Sequence, residues 1–135
     1  MRTLTLPARV EHLAEASAFV EGLLAEAGCP RKVVCQIGVA LEELFVNIAR
    51  YAYAPGEGRV EIRCEFSPAA PGVRMTLVDT GAPYDPLAQQ DPDITLDAAS
   101  RELGGLGIFL AKKTMDQMAY CYEDGENRLT LVKGW

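Results

Sequence analysis

The sequence is poor in the features that mark membrane, zinc and nucleic-acid proteins. No run of about 18 apolar residues occurs in its 135 residues, which excludes a membrane-spanning helix. The apolar stretch near the N-terminus, within residues 1–7, is too short for a secretory signal, so we expect a cytoplasmic protein. The chain has 13 Lys and Arg against 19 Asp and Glu, a net charge of −6, and no basic run. Direct binding to a nucleic-acid backbone is therefore not expected.

Histidine and paired cysteines are also scarce. His12 is the single histidine, and the four cysteines form no CxxC pair, so a zinc site of the Cys/His type is not expected. Cys29, Cys35, Cys64 and Cys121 lie dispersed in otherwise apolar segments, which is typical of reduced core residues. A disulfide is the alternative. The position of His12 near the start of a helix predicts a surface or capping residue.

The apolar pattern predicts one α+β domain over residues 1–135. The predicted elements are a strand (2–6), helices (10–27 and about 30–53), two strands (59–66 and 73–79), a long loop (80–103), a helix after residue 107, and a hairpin (118–123 and 129–133). This order favours a two-layer sandwich with helices on one face of a mixed, mainly antiparallel sheet. A loop of more than about 15 residues is uncommon in a compact domain and is usually functional or disordered.

The second predicted helix carries a polar stripe. Glu43, Asn47 and Arg50 are spaced i, i+4 and i+7, so they lie on one face, roughly opposite the apolar stripe. Asn is a poor residue for the middle of a helix because its side chain competes with the backbone for hydrogen bonds. A carboxylate and a carboxamide one turn apart can place a general base beside a metal ligand. The alternative is a solvated helix face.

A strand that ends in Asp79 is followed closely by Gly81. An ionised Asp only accepts hydrogen bonds, so Asp79 suits an amino group such as the exocyclic N6 of adenine. Gly81 lets the backbone approach a ligand closely. The alternative is an ordinary strand-to-turn transition, where Asp and Gly are common for conformational reasons.

Three glycines stand directly before the third predicted helix, in Gly104-Gly105-Leu106-Gly107. Unpaired N–H groups and the positive end of a helix dipole make an anion site, and glycines leave room for a phosphate. The spacing fits neither the Rossmann nor the Walker motif. The alternative is a flexible hinge or a tight turn.

In this order and separation, the three clusters resemble the motifs of the GHKL (Bergerat-fold) ATP-binding family, and within it the RsbW-like anti-sigma factor serine kinases. Residues 42–47 (EELFVN) are similar to the N box of the family, residues 79–86 (DTGAPYDP) to its first glycine box, and residues 104–110 (GGLGIFL) to its second. The resemblance spans about Leu4 to Lys133 and implies the Bergerat fold.

The resemblance implies a role for each motif. Glu43 would be the catalytic base that takes the proton from the attacking hydroxyl, and Asn47 would hold Mg²⁺ on ATP. Asp79 would accept a hydrogen bond from the adenine amino group, and residues 87–103 would form the ATP lid. The nucleotide-binding residues so implied are Asn47, Asp79, Gly81, Gly104, Gly105, Leu106 and Gly107, with Arg50 and Thr130 as further candidates.

Some positions depart from the family pattern. Tyr51 stands where many relatives have a His after the N-box Asn. Many relatives carry a Thr near the final strand that supports the adenine pocket, and the matching stretch here, 127–130, leaves open whether Thr130 points into the site. The lid is rich in Asp and lacks Lys, so its phosphate contacts would depend on Arg101 or on backbone groups.

The function that the resemblance implies is an ATP-dependent serine/threonine protein kinase of the anti-sigma factor type. It would phosphorylate a serine on a STAS-domain antagonist, bind that antagonist and a sigma factor in alternation, and form a homodimer. A second hypothesis is a non-catalytic regulator in which ATP orders the lid and shapes a protein-binding surface. A histidine-kinase catalytic domain is disfavoured because no phospho-acceptor His segment is present. An α+β domain without a nucleotide site is the remaining alternative.

Overall fold

The helices and strands follow the predicted order. The computed structural model describes residues 1–88 and 105–135, so Gly104, Arg101 and most of the predicted lid lie outside the described residues. The elements are β1 (Arg2–Pro7), α1 (Leu13–Glu26), α2 (Arg31–Asn47), β2 (Arg59–Phe66), β3 (Gly72–Asp79), α3 (Gly105–Thr114), β4 (Gln117–Glu123) and β5 (Glu126–Gly134). Short 3₁₀ turns cover Val10–His12 and Pro86–Ala88, and a π-helical segment covers Ile48–Ala52.

The strands form one five-stranded sheet in the order β1-β2-β3-β5-β4. The prediction of a mainly antiparallel sheet with helices on one face is confirmed. All four pairings between the described strands are antiparallel, so the parallel pairing implied by a mixed sheet is not found among them. Alternation sets the inner face of the sheet: Val60, Ile62 and Cys64 on β2 are buried, and so are Met75 and Leu77 on β3.

The helices cover this inner face with apolar stripes at helical spacing. On α1 the buried residues are Ala16, Val20, Leu23 and Leu24; on α2 they are Ile37, Ala40, Leu41, Leu44 and Phe45. Gly28 has a positive φ of 73° just after α1, the usual conformation of a helix-ending glycine. None of the helices in the described part of the chain is long and apolar enough to cross a bilayer.

The second helix ends earlier than predicted. The α-helical hydrogen-bond pattern stops at Asn47, and Ile48–Ala52 continues as a wider π-helical turn. Such single turns occur often at functional sites because they redirect side chains without ending the helix. The segment 48–52 therefore leaves the path that an ideal α-helix to Tyr53 would have taken.

The cysteines differ from the expectation that all four are core residues. All four are free thiols, but only Cys64 is buried, whereas Cys29 is half-buried and Cys35 and Cys121 are exposed. The reason is position: Cys35 lies on the solvent side of α2, and Cys121 lies on the edge strand β4. His12 is half-buried at the surface, as predicted, and its Nδ1 lies 2.8 Å from Glu15 Oε1.

Candidate functional site

A pocket of about 480 Å³ opens between the end of α2, the π-helical turn and the ends of β3, β4 and β5. This volume falls within the range of small-molecule sites, about 300–1,000 Å³. Its walls are mostly apolar and include Leu44, Ile48, Ala52, Leu77 and Leu129. Polar groups are few, and the most buried of them are Asp79 and Asn127. The arrangement suits a flat apolar ligand that carries a small number of hydrogen-bonding groups.

Asp79 is the carboxylate of this pocket. It is 6 % exposed at the end of β3, on the same face as Leu77 and Met75. Its Oδ1 accepts hydrogen bonds from the backbone N–H of Gly81 and from Nδ2 of Asn127, both at 2.9 Å. These two bonds hold the carboxylate in one orientation, and the predicted adenine acceptor therefore lies where a ligand in the pocket can reach it.

Asn127 lines the same pocket, although the sequence motifs did not indicate it. It pairs with Asp79 across β3 and β5 and is 6 % exposed. The signal was present in the strand alternation, because Asn127 is in phase with the buried Leu129 and Leu131. A polar side chain at a core position of a strand needs partners, and its nearest cross-strand neighbour is a carboxylate.

The segment after Asp79 is hydrogen-bonded to the end of the π-helical turn and to the residue that follows it. The N–H of Ala82 donates to the carbonyl of Ala52 at 3.1 Å, and the hydroxyl of Tyr53 accepts from the N–H of Thr80 at 2.9 Å. A Cβ atom on Gly81 would lie 2.6 Å from the carbonyl carbon of Ala52. In this structure, Gly81 is therefore needed for close backbone packing within the protein, whereas the sequence suggested space for a ligand.

Asn47 lies at the last residue of α2, and its half-buried side chain lines the pocket. Asn47 and Asp79 thus share one pocket, as their motifs predicted. A carboxamide oxygen is a suitable ligand for Mg²⁺, which commonly takes few protein ligands and keeps several waters. Tyr51, one turn later, is 67 % exposed and lies at the same pocket.

Glu43 lies outside the lining of this pocket, one turn before Asn47, and contacts α3 instead. A Cβ atom on Gly107 would lie 2.6 Å from the carboxyl carbon of Glu43. Glu43 Oε1 is fully buried and accepts no hydrogen bond from the described residues. Burial raises the pKa of Glu43, the charge of Glu42 raises it further, and the charge of Arg50 opposes both. A carboxylate held in this way is a stronger base than an exposed one.

The glycine-rich motif forms the first turn of α3. The sequence predicted a turn before the helix, but the helix already begins at Gly105, so Gly105, Leu106 and Gly107 are helical. The first N–H groups of a helix have no partner within the helix and lie at the positive end of its dipole. The N–H groups that the sequence predicted as an anion site therefore lie in the first turn of α3, beside Glu43.

Two residues that were predicted to bind the nucleotide do not line the pocket. The side chain of Thr130 lies on the outer face of the sheet, where its hydroxyl is 3.0 Å from that of Thr76. The strand alternation decides this, because Leu129 and Leu131 on either side are buried. Arg50 is exposed on the π-helical turn and is absent from the pocket lining, although its charge acts on Glu43.

Comparison with known proteins places these features in a family. Residues 6–133 match the model of the histidine kinase-like ATPase domain. The chain is 27% identical over 127 residues to the serine-protein kinase RsbW of Listeria monocytogenes. The aligned residues make up 91% of this chain and 80% of the relative. It is 30% identical over 91 residues to the serine/threonine-protein kinase BtrW of Bordetella bronchiseptica, covering 67% of this chain and 63% of that one.

A solved structure shares the fold. The RsbU and RsbW domains of Rv1364c from Mycobacterium tuberculosis match 99% of this chain with a TM-score of 0.65 and 16% identity. The chain spans only 32% of that protein, so the likeness concerns the fold alone. The family model, in contrast, covers nearly the whole chain, including Glu43, Asn47 and Asp79. The chain therefore belongs to the histidine kinase-like ATPase domain family, and its similar relatives include the RsbW serine-protein kinases.

Proposed function

We propose that the protein is an ATP-dependent serine/threonine kinase of the anti-sigma factor type. It binds ATP with Mg²⁺, phosphorylates a serine on a STAS-domain antagonist, and binds that antagonist and a sigma factor in alternation. The observation that carries this proposal is the shared pocket of Asp79 and Asn47, which combines apolar walls with one oriented carboxylate and one carboxamide. A cytoplasmic location and a homodimer belong to the same proposal and rest on the family resemblance.

The pocket fits an adenine ring in size and chemistry. Leu44, Ile48 and Leu77 offer apolar surface to a flat ring, and Asp79 offers an acceptor to its exocyclic amino group. Holding the carboxylate by two hydrogen bonds means that binding costs little side-chain entropy there. This preorganisation supports a nucleotide rather than a ligand that lacks an amino group.

The residues beside the pocket fit the triphosphate and its metal. The Asn47 carboxamide oxygen would hold Mg²⁺, and the N–H groups at the start of α3 would bind phosphate oxygens. When bound, Mg²⁺ would neutralise the charge that develops on the phosphates. The positive end of α3 supplies the same kind of stabilisation from the protein itself.

Glu43 is the candidate general base. Its buried Oε1 has no partner among the described residues, so it has the capacity to accept a proton from a serine hydroxyl. Its raised pKa brings its basicity closer to the working pH, which favours proton transfer. Glu43 contacts the first turn of α3 through Gly107, so the base and the phosphate-binding N–H groups lie next to each other.

A second candidate function follows from one observation. Glu43 does not line the pocket that contains Asp79, and its carboxyl group packs against α3. A regulator that binds nucleotide without phosphoryl transfer would need Asp79 and Asn47 but not Glu43. The contribution of Glu43 therefore separates the kinase from a nucleotide-gated binding protein.

Radiolabelled ATP, Mg²⁺ and purified STAS-domain proteins provide the test. Label on a serine of the STAS protein supports the kinase, and the Glu43→Ala variant should bind ATP but transfer no label. Glu42→Ala is the matched control, because Glu42 is exposed one residue away on the same helix, and it should still transfer. Nucleotide binding without transfer by the wild type would favour the gated regulator. Absence of ATP binding at millimolar concentration would refute both proposals.

A further inference from the structure

The buried amide of Asn127 has a fixed orientation. Its Nδ2 donates to Asp79 Oδ1 at 2.9 Å and to the carbonyl of Ala82 at 3.0 Å, with the carbonyl of Gly81 at 3.3 Å. Its Oδ1 accepts from the N–H of Tyr84 at 3.1 Å and from the hydroxyl of Tyr120. A flipped amide would place its oxygen against three acceptors, so the network admits only one orientation.

This network uses the hydrogen-bonding capacity of Asn127 completely. Nδ2 carries two hydrogens, and they face the three oxygens of Asp79, Gly81 and Ala82. Its Oδ1 already has two donors. Although Asn127 lines the pocket, it has no donor or acceptor left for a base. Asn127 is therefore a positioning residue that acts through Asp79.

The effect on Asp79 is asymmetric. Oδ1 accepts from Asn127 and from the N–H of Gly81, which occupies both of its lone pairs. Oδ2 receives no hydrogen bond from the described residues. Oδ2 is not fully buried, because the only fully buried side-chain oxygen or nitrogen without a partner among these residues is Glu43 Oε1. Since Asp79 lines the pocket, its Oδ2 is accessible from there. Asp79 thus presents one accepting oxygen to a ligand.

A carboxylate with one free oxygen distinguishes between purines. Adenine presents one exocyclic amino group on its hydrogen-bonding edge, and one accepting oxygen satisfies it. Guanine presents two adjacent donors, N1–H and N2–H, which a carboxylate binds with both oxygens. We propose that Asn127, by occupying Oδ1 of Asp79, makes this pocket select adenine over guanine nucleotides. The proposal rests on the proposed ATP site, and it adds the residue that determines base selectivity.

The test compares the affinities of ATP and GTP, each with Mg²⁺, by isothermal titration calorimetry. In Asn127→Ala, and in Asn127→Gly, Oδ1 regains a lone pair that no side chain covers. We expect the preference for ATP over GTP to fall about tenfold, as for the loss or gain of one hydrogen bond to a charged group. Circular dichroism would check that each variant is folded.

Tyr120→Phe is the matched control. It removes the hydroxyl that donates to Asn127 Oδ1, but it leaves the bond from Asn127 to Asp79 in place. It perturbs the same cluster, so it should change both affinities by a similar factor and leave their ratio within about twofold. A purely structural role of Asn127 would predict the same constant ratio in the Asn127 variants, and that result would overturn the proposal.

The wild type gives an independent result if the Asn127 variants do not fold. Inosine triphosphate has the N1–H donor of guanine but lacks the 2-amino group. With one accepting oxygen on Asp79, the wild type should bind it more tightly than GTP, because no second donor is left unpaired. GTP binding equal to or tighter than that of inosine triphosphate would overturn the proposal. Failure to bind ATP would instead refute the proposed function itself.

Discussion

Replacement of Gly107 by alanine tests the contact between α3 and the candidate base. The new Cβ atom would lie 2.6 Å from Cδ and 2.7 Å from Cγ of Glu43. Carbon atoms in contact normally lie about 3.5–4.0 Å apart, so the Glu43 carboxyl group must move by about 1 Å. The substitution therefore tests whether the position of the Glu43 carboxyl group matters for the proposed activity.

The expected magnitudes follow from this overlap. Overpacking of this kind costs about 1–3 kcal/mol of stability. The change from Gly to Ala in a helix returns about 1 kcal/mol, so the net loss in free energy of unfolding is about 0–2 kcal/mol. A misplacement of about 1 Å lowers the rate of phosphoryl transfer by about 100-fold. A stability loss of this size leaves most molecules of a typical domain folded, so an activity loss of about 100-fold would report the displaced carboxyl group rather than unfolding.

Gly38→Ala is the matched control. Gly38 lies within α2, and a Cβ atom there would meet nothing within 4 Å. The change should raise the free energy of unfolding by about 0.4–1 kcal/mol and leave phosphoryl transfer unchanged. Urea denaturation measures stability, and transfer of label from radiolabelled ATP to the proposed STAS-domain substrate measures activity, for both variants.

One pattern of results would contradict the close packing of Glu43 against α3. If Gly107→Ala gains stability like Gly38→Ala and transfers phosphate at the wild-type rate, then the Glu43 carboxyl group is not confined by α3. The position of Glu43 beside the first turn of α3 would then carry no catalytic meaning. Loss of ATP binding together with activity would point to the N–H groups of α3 that are proposed to bind phosphate, rather than to Glu43 as the proposed base.

Three further predictions concern Glu43, Asp79 and Cys64. Because burial raises the pKa of Glu43 above its unfolded value, the wild type should gain stability as the pH falls through that raised pKa, whereas Glu43→Gln should not. Calorimetric melting between about pH 4 and 8 measures the difference, and parallel stability curves for the two proteins would contradict the raised pKa. Asp79→Asn should weaken ATP binding at least about tenfold, because the amide presents a donor to the adenine amino group; unchanged affinity in a titration would remove Asp79 from adenine recognition. Burial raises the pKa of the Cys64 thiol to about 11. A thiol reagent at pH 8 should therefore label the exposed Cys35 and Cys121 quickly and Cys64 only after unfolding. Fast labelling of Cys64 in the folded protein would contradict its burial.

Local sequence patterns determined the secondary structure closely. The strand predicted over 59–66 is observed with the same bounds, and the one predicted over 73–79 begins one residue earlier. Alternation has a period of two within a single segment, so a few neighbouring residues suffice to reveal it. The wider turn at Ile48–Ala52 was not predicted, because its sequence also fits an ordinary helix.

The motifs identified individual residues better than their relationships. Asp79 and Asn47 share a pocket, as their motifs predicted, whereas Glu43 contacts Gly107 outside that pocket. Thr130 matched a family position by spacing but lies on the outer face of the sheet. A difference of one residue along a strand decides between the two faces, and spacing alone does not fix that phase.

Sequence patterns were enough to predict the order of elements, the apolar faces that pack together and the residue types proposed to bind adenine, phosphate and magnesium. The packing of the folded chain, in contrast, brings Asn127 into contact with Asp79, 48 positions away in the sequence. It also decided that Gly81 accommodates Ala52 and that Gly107 accommodates Glu43. Periodicity is a local property that neighbouring residues encode, whereas these contacts depend on how strands and helices pack, which no single segment specifies.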